Sequence, residues 1–210
     1  MANDAAISKY GLVVEEQSLG VGELGYELYM PSEFARHVAT VLLQAGGPQR
    51  LRPAGLLAMD ALRLEKAYRH FGHDISDEDH VLEAGLGFAV NIEKCRGRFG
   101  DFIGREAVLR KRDGSLARRL LQFKLADPEG LLFHNEPVLR DGRIVGHLSS
   151  GAYGHALGVA VGLGYVACRS DESIEELLQS RYEIEVAGRR YEATATLRPF
   201  YDPTGARLRG

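Results

Sequence analysis

Cysteine is scarce in this 210-residue chain: Cys95 and Cys168 stand far apart, in no CxxC or Cys/His spacing. That argues against a disulfide framework or a structural zinc centre and makes a reducing compartment the default. A cationic field is also missing. Lys and Arg number 26 against 29 Asp and Glu, for a net charge of −3. The arginines are spread among acids, so neither nucleic acid nor an anionic membrane surface is attracted. Long apolar runs are absent as well. The longest mostly apolar stretch, 156–168, is short and interrupted by glycines, which argues against a bilayer span. The start, Met1-Ala-Asn-Asp-Ala-Ala, lacks the basic and apolar regions of a signal peptide. The expected compartment is the cytoplasm, or the mitochondrial matrix in a eukaryote. No internal repeat or low-complexity segment is visible.

What is present reads as α+β in two parts. Residues 12–17 and 26–30 have strand character and are joined by turn glycines at 20, 22 and 25. Ser32 is an expected N-cap for a helix whose apolar face is Phe34, Val38, Val41 and Leu42, and Gly46-Gly47 stops it. A second helix is expected from Pro53 to Gly72, with Leu57, Ala61, Leu64 and Tyr68 at helical spacing. Residues 77–85 suggest a short helical turn, 87–92 a strand and 104–113 a helix with its bases at the end.

After Gly114 the pattern changes to strands. Leu121, Phe123 and Leu125 alternate with Gln122 and Lys124, as in a half-buried strand. Asp141-Gly142 between two strand-like runs is a hairpin signal. With further strands near 162–168, 182–186 and 191–197, the pattern predicts a small antiparallel β-barrel. Two domains are expected: 1–114, a partial α/β sheet domain, and 115–210, the barrel.

Several constellations yield to ordinary explanations. Gly20-Val-Gly-Glu-Leu-Gly25 matches GxGxxG but leads into a strand closed by Pro31 rather than a helix, so its glycines read as turn formers. His70, His73, Asp74, Asp77, Glu78, Asp79 and His80 carry ligand atoms without convergent spacing and read as a polar helix terminus and solvated loop. Ser149 and Ser150 near His147 and His155 lack a nucleophile elbow. Arg96 and Arg98 beside Cys95 offer no base partner. Glu27 stands apart. Tyr26 and Glu27 fall on opposite faces of one strand, and Leu24 and Met30 suggest apolar surroundings in which a carboxylate needs a partner.

Three blocks together carry a resemblance: Gly22-Glu-Leu-Gly-Tyr-Glu-Leu-Tyr29, Leu62-Arg-Leu-Glu-Lys-Ala-Tyr-Arg69, and the Tyr153-Gly-His155 turn. In this order, with a barrel behind them, they resemble the glycine-cleavage T-protein superfamily, nearest to the folate-binding portions of dimethylglycine and sarcosine dehydrogenases. The resemblance covers nearly all of this chain and the latter part of the family's module. It implies tetrahydrofolate as cofactor and capture of a one-carbon unit from a methylated-amine-derived donor, yielding methylene-tetrahydrofolate. It assigns Glu27 to the donor edge of the pterin ring, with Tyr26 and Arg63 supporting the pocket. The aromatic residue common seven positions before that glutamate is Gly20 here, and the arginine of T-proteins is Met59. The family's acidic residue near the reactive folate nitrogens belongs to the earlier half of its module, so no catalytic residue and no metal ligand is assigned.

Implied partners are a flavin dehydrogenase domain or, for a glycine-cleavage aminomethyltransferase, a lipoyl carrier protein. A truncated, non-catalytic folate-binding or assembly domain is the alternative from another class. Self-association through unpaired edges of the first sheet is also expected.

Overall fold

The computed structural model describes residues 6–7, 13–16, 21–23, 25–47, 51–91 and 102–209. Gly20, Leu24 and Cys95 lie outside them. The chain divides into two compact units, Met1–Arg63 with Thr204–Gly210, and Leu64–Pro203.

In the first unit, strands β1 (Ala6–Ile7), β2 (Val13–Glu16) and β3 (Tyr26–Tyr29) form an antiparallel sheet in that order. β2 pairs with β3 through Val13↔Tyr29, Val14↔Leu28, Glu15↔Glu27 and Glu16↔Tyr26. Helix α1 (Ser32–Gly46) follows, and the Gly47 N–H closes it on the Leu43 carbonyl at 3.1 Å. Its N-cap is Pro31, not Ser32, and no side chain caps it. Proline's fixed φ ends β3 and turns the chain directly into the helix. The expected apolar face forms on α1 but is not buried: no residue of α1 is buried, and Phe34, Val41, Leu42 and Leu43 are 41–50% exposed.

Helix α2 (Leu56–Glu65) is shorter than expected at both ends. Gly55, not Pro53, opens it, its carbonyl accepting the Ala58 and Met59 N–H groups. Ala67, at φ 54°, ends it before Gly72, and the Arg69 Nη1 donates to the Ala67 carbonyl exposed by that turn (3.0 Å). Residues 81–85 are turns, and Gly87–Ala89 is a 3-10 helix rather than a strand. The Ala89 and Val90 N–H groups are spent on local carbonyls at 86 and 87, which leaves them unavailable for a strand ladder.

Helix α3 (Arg105–Asp113) begins after Gly104 at φ 90° and ends in Arg110, Lys111 and Arg112. Then come β4 (Arg118–Leu125), β5 (Pro137–Arg140), β6 (Arg143–Gly154), β7 (Val159–Ala167), helix α4 (Ile174–Gln179), β8 (Tyr182–Val186), β9 (Arg189–Thr196) and the terminal turn α5 (Ala206–Arg209). The six strands close into an antiparallel barrel in the order β4-β7-β6-β5-β8-β9, with β9 returning to β4. Asp141 and Gly142, at φ 52° and 78°, make the expected tight hairpin turn.

Leu121, Phe123, Leu125, Val138, Leu148, Val166, Tyr182 and Ile184 fill the barrel. Phe123 meets Tyr182 edge to face at 5.4 Å, and the Tyr182 hydroxyl donates to the Leu177 carbonyl. β4 departs from the half-buried pattern, because Leu120 and Gln122 on its other face are also buried. Leu120 joins Leu64, Ala67, Val161 and Leu163 in a second apolar cluster outside the barrel. The polar side chain between them is buried because it bonds backbone rather than water. Helix α4 was not expected. A reciprocal capping box starts it, with Ser173 Oγ accepting the Glu176 N–H and the Glu176 carboxylate accepting the Ser173 N–H.

Candidate functional site

Glu27 is held on β3 by its ladder to β2, so its direction follows from register rather than from a loop. Period-2 geometry puts Glu27 and Tyr29 on one face and Tyr26 on the other. The carboxylate is exposed rather than set among apolar groups, and the Tyr29 hydroxyl donates to one of its oxygens. Tyr26 is 63% exposed. Arg63, on α2, is buried, and its Nε donates to Asp60 Oδ1 at 3.1 Å, one turn earlier. Arg63 makes no hydrogen bond to Glu27. Of the three expected residues, the structure puts Tyr26 and Glu27 on one strand and Arg63 on α2, with its Nε on Asp60.

Sequence reasoning passed over the residue after Leu64. Glu65 is 2% exposed, and its Oε1 accepts N–H groups from Ala156 (2.6 Å) and Leu157 (3.2 Å). The Tyr153-Gly154-His155 turn is built around that oxygen: a Cβ on Gly154 would stand 3.1 Å from it. The neighbouring Lys66 ammonium pairs with Asp202 at 3.1 Å, both nearly solvent-free. Gln122 Nε2 donates to the carbonyls of Leu64 (2.5 Å) and Glu65 (3.2 Å), while its Oε1 accepts the Phe200 N–H. Burying such groups is tolerable only because each is met. The Leu-Glu-Lys run and the Tyr-Gly-His turn are therefore one polar network within the second unit. Periodicity could not reveal this, since the partners are 57 to 136 residues apart.

The ligand-rich loop is used structurally. Asp74 accepts the His70 N–H (2.9 Å) and the Ser149 hydroxyl (2.5 Å), and it is buried rather than solvated. Asp79 accepts from Ser76 and Arg118. Among the described residues no group of three His, Cys, Asp or Glu is arranged to hold a metal ion, and no helix is long and apolar enough to cross a membrane. Cys168 is a partly buried thiol whose burial pushes its pKa up, the reverse of what a nucleophile needs.

With this geometry in place, the comparisons are concordant. Residues 19–94 match the GCVT N-terminal domain, and residues 118–202 match the glycine cleavage T-protein C-terminal barrel domain. The chain is 41% identical over 190 residues to the 4-methylaminobutanoate oxidase (formaldehyde-forming) of Paenarthrobacter nicotinovorans, covering 90% of this chain and 22% of that protein. It is 34% identical over 192 residues to the mitochondrial sarcosine dehydrogenase of Homo sapiens, covering 90% and 20%. The aminomethyltransferase T of the Bartonella henselae glycine cleavage system shares the fold, with a TM-score of 0.75 at 24% identity over 93% of this chain and 51% of that one. The chain thus spans about a fifth of these two curated relatives and about half of the solved structure. On both family matches, the second of which spans the closed barrel, the chain belongs to the glycine-cleavage T-protein superfamily.

Proposed function

We propose that this chain is a tetrahydrofolate-dependent one-carbon transfer module of the kind found with methylated-amine dehydrogenases, with residues 1–114 binding folate and 115–210 forming its barrel. The observation that carries the reading is Glu27: an exposed carboxylate fixed by strand register, steadied on one oxygen by Tyr29 and open on the other. A carboxylate in that state suits a paired N–H and amino edge, such as the pterin ring presents. Arg63, steadied by Asp60, would support the same pocket, and Tyr26, on the opposite face of β3, would support it through the strand that carries Glu27. Tetrahydrofolate, when bound, supplies the nitrogens that take up the one-carbon unit. The chain's own part is to hold and orient it, and proximity supplies much of the rate gain in such reactions.

Membership of the superfamily and the 41% identity to a formaldehyde-forming amine oxidase support an amine-derived donor. On this reading the partner is a flavin dehydrogenase domain, and a lipoyl carrier is the partner under the aminomethyltransferase alternative. The exposed apolar residues of α1 also support self-association of this 210-residue chain. Light scattering at high concentration checks that point, and a strictly monomeric species counts against it.

The test is titration of the purified chain with tetrahydrofolate, followed by calorimetry. Saturable binding that weakens about tenfold or more in Glu27→Gln is expected, because the amide replaces one acceptor with a donor. Binding that is absent, or equal in both proteins, rejects the reading. Product formation from a methylated amine donor would then separate an enzyme from a binder.

A further inference from the structure

The Leu64–Pro203 unit carries a groove of about 630 Å³, bounded by the 72–73 turn, the start of β4, Asn135, the middle of β6 and the end of β7. That size falls within the range of small-molecule sites. The groove owes nothing to Glu27 or to the folate reading. Its sign is distinctive for a chain of net charge −3: it is lined by Arg118, His73 and His147, and by no Asp or Glu. Asn135 adds a carboxamide, while Val145, Ala117 and Ala167 provide an apolar wall.

The charged group is preorganised. Arg118 Nε donates to Glu83 (3.1 Å), Nη2 donates to Asp79 (2.8 Å), and the guanidinium lies over the Tyr165 ring at 4.4 Å. Its side chain remains 41% exposed, and its ion pairs to Glu83 and Asp79 run through Nε and Nη2. Glu83 is shared with Lys111 at 2.6 Å, so the two acids behind Arg118 are balanced by two cations. The rim is equally fixed. A β-bulge between Leu148 and Ser150 leaves Ser149 as an extra residue on β6, and bulges re-aim side chains in this way. Its hydroxyl grips Asp74, which in turn holds the turn bearing His73. His147 lies across from Tyr165 in the ladder, exposed and without a side-chain partner among the described residues.

We propose that this groove binds a small organic acid, its carboxylate taken by Arg118 and the imidazoles of His147 and His73, and its apolar body laid along Val145, Ala117 and Ala167. A pre-set guanidinium presents a donor to a carboxylate with little ordering cost. A ligand cation would meet Arg118 and, among the groove's described lining residues, no acid.

The test is NMR titration of the full chain, following the His73 and His147 ring resonances, with pimelate as probe and 1,6-diaminohexane as its cationic mirror. Saturable shifts with pimelate alone are expected. Arg118→Gln should weaken them roughly tenfold, as loss of a charged hydrogen bond does. Because Arg118 also anchors Asp79 and Glu83, His147→Ala serves as the second variant; it leaves those ion pairs whole and should weaken binding severalfold. No saturable shift at roughly 10 mM pimelate, where even a millimolar site fills, overturns the proposal. So does equal response to the diamine, equal response to inorganic phosphate, or unchanged affinity in both variants.

Discussion

The barrel and the amino-terminal unit use similar amounts of apolar sequence to different ends. In the barrel, closure turns every strand edge inward on its neighbour, and Leu121, Phe123, Val138, Val166 and Ile184 lose essentially all contact with solvent. In the amino-terminal unit a three-stranded sheet stands beside a 15-residue amphipathic helix that buries no residue. Amphipathic patterning therefore makes a helix form, but burial depends on a second layer to receive its face. The barrel holds its own second layer, whereas the short strands β1 to β3 do not cover α1.

The difference can be pressed hardest in the barrel. Phe123→Ala removes a ring from the centre of the core and is expected to cost about 3–5 kcal/mol. Urea denaturation followed on the barrel's tyrosines checks this, and a loss below 1 kcal/mol would mean the core is looser than its burial indicates. Gln122→Met keeps the volume but leaves the Phe200 N–H without its acceptor and takes one donor from each of the Leu64 and Glu65 carbonyls, which keep only the Ala67 and Tyr201 N–H groups. A loss of roughly 2–3 kcal/mol is expected in the same assay. A neutral result would show that water replaces the amide.

Acid should find the ion pairs of the second unit. Burial alone would raise the Glu83 carboxyl, but hydrogen bonds from Lys111 and Arg118 outweigh it and hold the group below its ordinary range. A depressed folded pKa contributes stability that is present above the unfolded value, about 4.3, and is lost as pH falls through the folded one. Melting temperature should therefore drop below about pH 4.3, and Glu83→Gln should flatten that limb of the curve. An identical pH profile for the variant would remove Glu83 from the account. The smallest effect is expected on α1. At a dilution where the chain is monomeric, Leu42→Lys on the exposed face should change its stability by no more than about 0.5 kcal/mol. A loss of more than about 2 kcal/mol would show that the face is covered in solution, and would erase the contrast between the two units.

Local chemistry was legible where it acts over a few residues. The Asp141-Gly142 turn and the basic end of α3 follow from backbone freedom and dipole alone, and α1 ends at Gly46-Gly47 as expected although Gly47 keeps helical backbone angles. The capping box of α4 was equally readable in Ser173-x-x-Glu176 and went unread. Other readings failed because the deciding partner is distant or absent. Val90 and its described neighbours are apolar enough for a strand, but the Ala89 and Val90 N–H groups are spent on local carbonyls. Gln122 looks like the solvent side of β4 until Leu64 and Glu65 are brought over it.

By itself the sequence determined the class of the fold, the change from mixed elements to strands after Gly114, the strand bearing Glu27 and the superfamily, because periodicity, turn residues and short motifs are local properties. Tertiary structure alone decided that β4 is covered on both faces, that Glu65 is the acceptor around which the Tyr153-Gly-His155 turn closes, and that Arg118, His73 and His147 border one groove. Each of those depends on groups tens of residues apart. Burial makes a polar group choose a partner, and the partner is fixed only when the chain has folded back to meet it.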